Sequence, residues 1–378
     1  MQASRARRLL ARAALALGSL VLGLCAAELA VRVAGLSVPA RSDAGAQNAR
    51  QDVPESVAPG IVFELRPGQT SSETFPGAPG EEPRVVTYRV NELGFRGAPV
   101  APEKPAQVFR IVALGDSFTY GTGVDEGDTW PAQLEARLRE LAPERPLEVL
   151  NWGVPAYNTR QEIAQLNQRV KTYRPDLVLL CAYVNDASGA GRGPGAPDEE
   201  QPADAWETRW VRRLGLTSGR WEGDAPVNAA QRRMMALRER SRLADLVAYK
   251  LYGWLMGRVA TRNYAADWAP GSPGLAMVKS ALSSALVLSR HSDFELLAVM
   301  YPDLPSLGET YAFAEEHAAF ASLCAELGIP FRDLTSVFDG RDPAALQAHA
   351  HDKHPNGAAH RLVAEALAAL LLPRIERE

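Results

Sequence analysis

Two side chains stand where a hydroxyl and an imidazole can act on each other: Ser117, in Gly115-Asp116-Ser117, and His354, in Asp352-Lys353-His354-Pro355-Asn356. A serine hydroxyl is a weak nucleophile until a neighbouring base takes its proton. His354 is such a base, and Asp352, two residues before it, carries the carboxylate that fixes an imidazole's tautomer and orientation. Two further positions offer donors to a developing negative charge. Gly153, in Asn151-Trp152-Gly153-Val154-Pro155, lets a backbone N–H approach closely, and Asn185, in Asn185-Asp186, brings a side-chain amide. Donors aimed at charge that appears only in a transition state contribute ~3 kcal/mol each. Singly, these are a turn, a turn glycine, a capping asparagine and a surface histidine. Together they form the set that acyl chemistry on serine requires.

The set has to be held at one place, and the surrounding pattern supplies a means. From Val108 onward, short apolar runs alternate with helical periodicity. Val108–Leu114, Leu147–Asn151, Leu177–Ala182, Glu295–Met300 and Phe331–Leu334 read as strands. Trp130–Leu141, Thr159–Tyr173 and Gly357–Leu372 read as helices, with Pro175 and Pro373 as stops behind the last two. Continuous apolar strands alternating with helices imply a parallel sheet covered on both faces. The expected fold is α/β, a three-layer α/β/α sandwich with a flavodoxin-like parallel sheet. Ser117, Gly153 and Asn185 each follow a strand, so they fall at the carboxyl edge, where open α/β sheets bind ligands.

The sandwich is expected over residues 108–373, interrupted at about 187–273 by an insertion too long for a simple loop. The first third of the insertion is rich in Gly, Pro, Asp and Glu. Ser241–Val259 is amphipathic, with Leu243, Leu246, Val247, Leu251, Trp254 and Leu255 on one stripe, and reads as a helical cap over the carboxyl ends of the strands. Equally, that helix packs elsewhere on the sheet. Residues 37–107 read as a linker, to about Gly60, and a small β-rich segment containing Ile61–Leu65 and Val85–Val90. Asn91–Gly97 closes that segment as a turn.

Residues 1–36 read as a signal peptide or membrane anchor. Arg5, Arg7, Arg8 and Arg12 precede the uncharged stretch Ala13–Ala27, the arrangement of an export signal. That stretch is shorter than the ~20 residues of a spanning helix; continuing it through Leu36 requires Glu28 and Arg32 to be accommodated. The arginines stay inside and the rest crosses, which places the sandwich outside the cytoplasmic membrane. The 378 residues carry a net charge of −4 with 23% charged residues, so no field favours nucleic acid. Three cysteines, Cys25, Cys181 and Cys324, make no disulfide framework.

These residues resemble the four signature blocks of the SGNH/GDSL hydrolase superfamily: Gly115-Asp116-Ser117 the first, Gly153 the second, Asn185-Asp186 the third and His354-Pro355-Asn356 the last. The resemblance covers roughly Val108–Leu372. Asn91-Glu92-Leu93-Gly94-Phe95-Arg96-Gly97 is similar to a stretch that precedes the first block in exported bacterial members. The resemblance implies that Ser117 is the nucleophile and His354 its base. It further implies an oxyanion hole built from the N–H groups of Ser117 and Gly153 and the Asn185 amide, and no cofactor. The implied activity is hydrolysis of a small acyl ester, on a carbohydrate among other alcohols, through an acyl-serine. Two positions depart from the pattern. The third block usually reads Gly-x-Asn-Asp, and Tyr183 stands at the glycine. The acid often lies three residues before the histidine, where this chain has His351; Asp352 is two before.

Other readings compete. The same acyl-serine serves a membrane-associated O-acyltransferase acting on a cell-envelope glycan, in which Trp254, Tyr264 and Trp268 stack on sugar rings or else are core. His349-Ala350-His351-Asp352-Lys353-His354 comes close to the metal-binding run of metallo-β-lactamase-like hydrolases, with the aspartate one position early; His360 is the one histidine beyond it. A non-catalytic module on the same fold is the last.

Overall fold

The computed structural model describes residues 2–36, 50–52, 60–61, 63–75, 82–189, 210–211, 229–349 and 352–376. In chain order its first elements are helix α1 (Gln2–Val33), strands β1 (Arg50–Asp52), β2 (Phe63–Leu65), β3 (Thr70–Phe75), β4 (Arg84–Arg89) and β5 (Phe109–Gly115), and helices α2 (Ser117–Tyr120) and α3 (Trp130–Leu141). Next come β6 (Leu147–Gly153), α4 (Thr159–Tyr173), β7 (Leu177–Ala182), α5 (Ala229–Arg240), α6 (Arg242–Trp268), α7 (Pro273–Ser292) and β8 (Glu295–Met300). The chain ends with α8 (Ala314–Leu327), β9 (Phe331–Asp333), β10 (Gln347–His349), β11 (Asp352–Pro355) and α9 (Gly357–Ile375). These fall into two compact units, one of Met1–Arg41, Pro76–Pro83 and Asp198–Ala260, the other of Ser42–Phe75, Arg84–Pro197 and Thr261–Glu378.

In the first unit, α1 runs unbroken through Glu28 and Arg32. Within it, Leu15–Val33 is long and apolar enough to cross a membrane, and 6% of its most apolar window is buried. The two charges are accommodated by pairing. Glu28 meets Arg32 at 2.5 Å one helical turn away, and its carboxylate accepts the Ser241 hydroxyl at 2.8 Å and the Leu243 N–H at 2.9 Å. Glu28 thereby caps the N-terminus of α6, where a helix favours negative charge. The amphipathic stripe expected on α6 is shifted: Ala248 and Leu255 are buried with Val211, Met234 and Tyr252, while Val247, Leu251 and Trp254 are exposed. Part of this line is set by α5, whose Met234 packs against it; half of the α5 residues are polar or charged. The Gly/Pro-rich start of the insertion lies outside the described residues, as does most of the expected linker.

The second unit is built on a five-stranded sheet in the order β6-β5-β7-β8-β9, every pair parallel. Counted within the sheet, this is the flavodoxin-like order 2-1-3-4-5. The chain steps from β5 to β6, then crosses back over β5 to β7. Right-handed crossovers therefore put α3 and α4 on opposite faces; α3 packs against α9, and α4 against α7. β5 and β7 are buried at every position, which is why β7 reads as an unbroken apolar run and β5 as one broken only by Arg110, whose guanidinium pairs with Glu148 at 2.5 Å. Cys181 and Cys324 are buried core thiols.

Pro373 lies inside α9 rather than behind it. A proline removes one N–H and crowds the carbonyl four residues back, but Leu371 and Ile375 on either side of it are buried and carry the helix one further turn. Ahead of the sheet, β2 pairs with β1, and β4 with β3. β1 is Arg-Gln-Asp and β3 is Thr-Ser-Ser-Glu-Thr-Phe, too polar to show an apolar pattern; each is recruited by an apolar partner strand.

Candidate active site

Every expected site residue lies in the second unit. Ser117 follows β5 after a single residue. That residue, Asp116, is fully buried and caps the short helix α2 by accepting the Phe118 N–H at 2.9 Å. Ser117 is thus the first residue of a helix, and its own N–H has no acceptor within that helix.

His354 arrives on β11, half of an antiparallel hairpin with β10. Side chains two apart on a strand leave from the same face, so Asp352 reaches the ring of His354 directly. Asp352 Oδ1 is 2.6 Å from His354 Nδ1 and also accepts the His354 N–H at 3.0 Å. This explains why a spacing of two serves here. Asn356 then caps α9, accepting the Ala359 N–H at 3.0 Å, which fixes where β11 ends. His354 Nε2 lies 2.9 Å from Ser117 Oγ. With a carboxylate at Nδ1, the proton resides on Nδ1 and Nε2 is free to accept. Burial pulls the His354 pKa down, but the Asp352 charge and hydrogen bond outweigh it, and the imidazole sits above its ordinary value. Asp352 sits below the usual carboxylate range: burial pushes it up, and the His354 contacts more than offset that.

The two remaining positions differ from expectation in detail. Asn185 stands in a 3₁₀ turn after β7, and its Nδ2 donates to Asp116 Oδ2 at 3.0 Å, leaving the second amide hydrogen of that nitrogen for another acceptor. The Gly153 N–H already has an acceptor: it donates to Asn151 Oδ1, two residues back on β6, at 3.0 Å. What requires glycine here is space. A Cβ on Gly153 would stand 2.1 Å from the Tyr120 nitrogen, so a side chain would push α2 off the sheet. Tyr183, at the family's glycine position, is a packing element: its ring stacks on Phe118 at 4.0 Å and its hydroxyl donates to Asp303.

The histidines of the C-terminal stretch have separate settings. Both ring nitrogens of His354 are engaged. His360 is fully buried, accepts the Trp130 N–H at 3.2 Å through Nδ1, and is pushed down to about 3 by burial. The His349 ring lies 6.2 Å from that of Phe75, and His351 is outside the described residues. Among the described residues, no group of three metal-ligating side chains comes together. Of the three aromatics considered for sugar stacking, Trp268 is buried and donates to Val184 O at 2.8 Å, Tyr264 packs against Phe313, and Trp254 is exposed with Arg258 over its ring.

The GDSL-like lipase/acylhydrolase family matches residues 113–362, well over half of the chain. The chain belongs to that family. It is an ester-bond hydrolase of the SGNH/GDSL superfamily. No curated protein matches it. Similar solved structures include a catalytic mutant of an acetylxylan esterase from Geobacillus stearothermophilus. That one has 15% identity and a TM-score of 0.41, with 69% of this chain and 92% of the other covered. Another is an α/β hydrolase enzyme from the metagenome of Lake Arreo, with 17% identity, a TM-score of 0.39 and coverage of 71% and 97%.

Beside this GDSL-family candidate site lies a buried acidic group, of which Asp116 and Asp186 stand in the motif blocks and Glu162 does not. Behind Asp116 lie Asp186 and Glu162, both fully buried. Burial and then the Asp186 and Asp116 charges drive the Glu162 pKa well above the ordinary range, and burial with the Asp116 charge does the same to Asp186. A sequence signal existed for Glu162: it falls on the buried line Thr159, Glu162, Leu166, Val170 of α4, where an ionised carboxyl has no place. A carboxyl whose folded pKa is raised gives its full stability below the unfolded pKa and loses it as pH rises through the folded value. Glu162→Gln, neutral at every pH, is therefore expected to melt higher than the wild type at pH 8, with the gap closing toward pH 4. Thermal denaturation at both pH values checks this; a gap that does not change with pH contradicts it.

Proposed function

We propose that this protein is a serine esterase that hydrolyses a small acyl ester, such as an O-acyl group on a glycan, through an acyl-enzyme on Ser117. The observation that carries the reading is the hydrogen-bonded line from Asp352 through His354 to Ser117, with steps of 2.6 and 2.9 Å. As Ser117 Oγ bonds to the ester carbonyl carbon, its proton passes to His354 Nε2. Asp352 holds the proton on Nδ1 and stabilises the imidazolium. The carbonyl oxygen becomes an oxyanion facing the Ser117 N–H and the free amide hydrogen of Asn185. Gly153 joins as a third donor when the oxyanion displaces Asn151 Oδ1 as its acceptor. The tetrahedral intermediate collapses by breaking the bond to the alcohol oxygen, which takes the proton from Nε2. Water then attacks the acyl-serine with His354 again as base, releasing the acid and restoring the hydroxyl. These steps use no cofactor.

The proposal includes anchoring by α1, supported by the apolar span Leu15–Val33 behind the arginine cluster, with the hydrolase unit outside the cytoplasmic membrane. One experiment addresses both parts. Membranes carrying the full chain are washed in alkaline carbonate, and pellet and wash, each returned to neutral pH, are mixed with p-nitrophenyl acetate and quenched in acid within a turnover. The expected result is a Ser117 peptide heavier by one acyl group, recovered from the pellet. Acylation found only in the wash contradicts anchoring; turnover with no acylated Ser117 peptide contradicts the serine mechanism. The same intermediate passes its acyl group to a sugar hydroxyl in a transferase, so repeating the assay with a sugar acceptor identifies which product forms.

A further inference from the structure

The residues that hold the loop behind Ser117 lie outside the stretch that the family matches, and Arg96 is the chief of them. Its backbone bridges to Val90 and to Asn151 on β6, and its side chain is almost wholly buried. Nη1 donates to the carbonyls of Tyr120 at 2.8 Å and Gly121 at 2.5 Å, and Nη2 donates to that of Val124 at 2.5 Å. The guanidinium carbon lies 4.9 Å from the ring centroids of both Tyr88 and Tyr120, beside the pair, whose rings stack on each other at 5.7 Å. Burying a guanidinium among main-chain carbonyls and aromatic faces is costly. Two of the carbonyls it binds, those of Tyr120 and Gly121, end the helix that begins with Ser117. A helix of four residues cannot hold itself; this one is capped at its start by Asp116 and at its end by a cation, where the helix dipole favours one.

The preceding β-pair grips the same loop at Gly123, between the carbonyls that Arg96 binds. The Gly123 N–H donates to the Tyr88 hydroxyl at 2.9 Å, that hydroxyl donates to Glu73 Oε2 at 2.8 Å, and Arg84 Nη2 donates to the Gly123 carbonyl at 3.0 Å. Gly123 has φ 87°, and a Cβ there would stand 2.6 Å from that of Ala348 and 3.8 Å from Asp352 Oδ2. The loop 121–124 is thus bounded by β3, β4 and Arg96 on one side and by the hairpin carrying Asp352 and His354 on the other.

We propose that Arg96 is a positioning residue, and that with β3 and β4 it forms a clamp setting Ser117 Oγ in register with His354 Nε2. The inference rests on the reading of Ser117 as nucleophile. Arg96 touches no reacting atom; it acts through the carbonyls of 120, 121 and 124. Loss of the clamp lets the hydroxyl drift, and a displacement near 1 Å costs roughly a hundredfold in rate.

The test compares wild type, Arg96→Lys and Arg96→Ala, with kcat expressed per folded molecule, alongside KM and the rate of Ser117 labelling by a fluorophosphonate. An ammonium is a single compact donor where the guanidinium is a fork. Arg96→Lys is expected to lose about tenfold or more in kcat and in labelling rate, with KM within about twofold. Arg96→Ala is expected to lose about a hundredfold, with methylguanidinium at a non-denaturing concentration restoring part of the loss and leaving the wild type unaffected. Wild-type kcat per folded molecule in Arg96→Lys, or activity lost only in proportion to folded protein, overturns the clamp. If wild-type Ser117 is not labelled, the nucleophile assignment is what has failed; if it is labelled and Arg96→Lys is labelled equally fast, the clamp alone has failed.

Discussion

Ser117→Ala is expected to lower kcat for p-nitrophenyl acetate by about 10⁴-fold or more, with the fold unchanged. The deleted oxygen is the atom that bonds to the substrate, so water must attack instead, helped only by the donors that remain. Little structural cost accompanies the change. The start of α2 is held by the Asp116 carboxylate, not by Ser117, and alanine is at ease in a helix. What is lost is one side-chain hydrogen bond to His354, worth about 1 kcal/mol. The melting midpoint should therefore move by only a few degrees. The check is kcat alongside a thermal melt. A variant that keeps its turnover removes Ser117 from the mechanism; one that loses turnover together with its melt leaves the serine a structural role only.

His354→Ala is expected to fall about as far, because a serine without a base is almost as inert as no serine. The two losses should not add: a Ser117→Ala, His354→Ala double variant is expected to match the single ones, as residues acting as a unit do. A pH signature goes with this. The base works only when neutral, so kcat/KM rises as pH climbs through the His354 pKa, which Asp352 holds above the ordinary value. In Asp352→Asn the carboxylate that favours the imidazolium is gone, so the acid limb should move to lower pH while kcat drops about a thousandfold or more from lost tautomer control. The pH profile of kcat/KM for wild type and Asp352→Asn checks this. An acid limb that stays in place would mean that the group titrating in the rate is not His354.

Much of this was legible in the sequence, for identifiable reasons. Leu177–Ala182 is a parallel strand buried on both faces, so every residue along it is apolar and the run announces itself. Thr159–Tyr173 has a capping box at Asn158 and Gln161 and a proline two residues after its end, and its limits are plain. Asp352 and His354 are neighbours in sequence as well as in space, so their pairing follows from strand geometry alone. Less visible were features set by distant parts of the chain. The hydrogen bond from Gly153 to Asn151 depends on one side-chain rotamer, and no spacing rule reports rotamers. Arg96 reads as one residue of a surface turn, because its acceptors are carbonyls more than twenty residues away and carbonyls have no sequence signature. β3 is polar along most of its length and exists through its pairing with β4. Glu162 was readable in principle, since a charged residue on a helix's buried line announces an unusual environment. It lies on α4, away from the strand ends where the motif blocks fall.

The most direct measurement is the reaction of the folded protein with a fluorophosphonate, which phosphonylates activated serines without reference to substrate, followed by mapping of the modified peptide. Stoichiometric modification at Ser117, faster at pH 8 than at pH 5 and absent after His354→Ala, is the predicted result. Failure of Ser117 to react in folded protein, or equal reaction once His354 has been removed, would contradict the claim that the imidazole activates that hydroxyl.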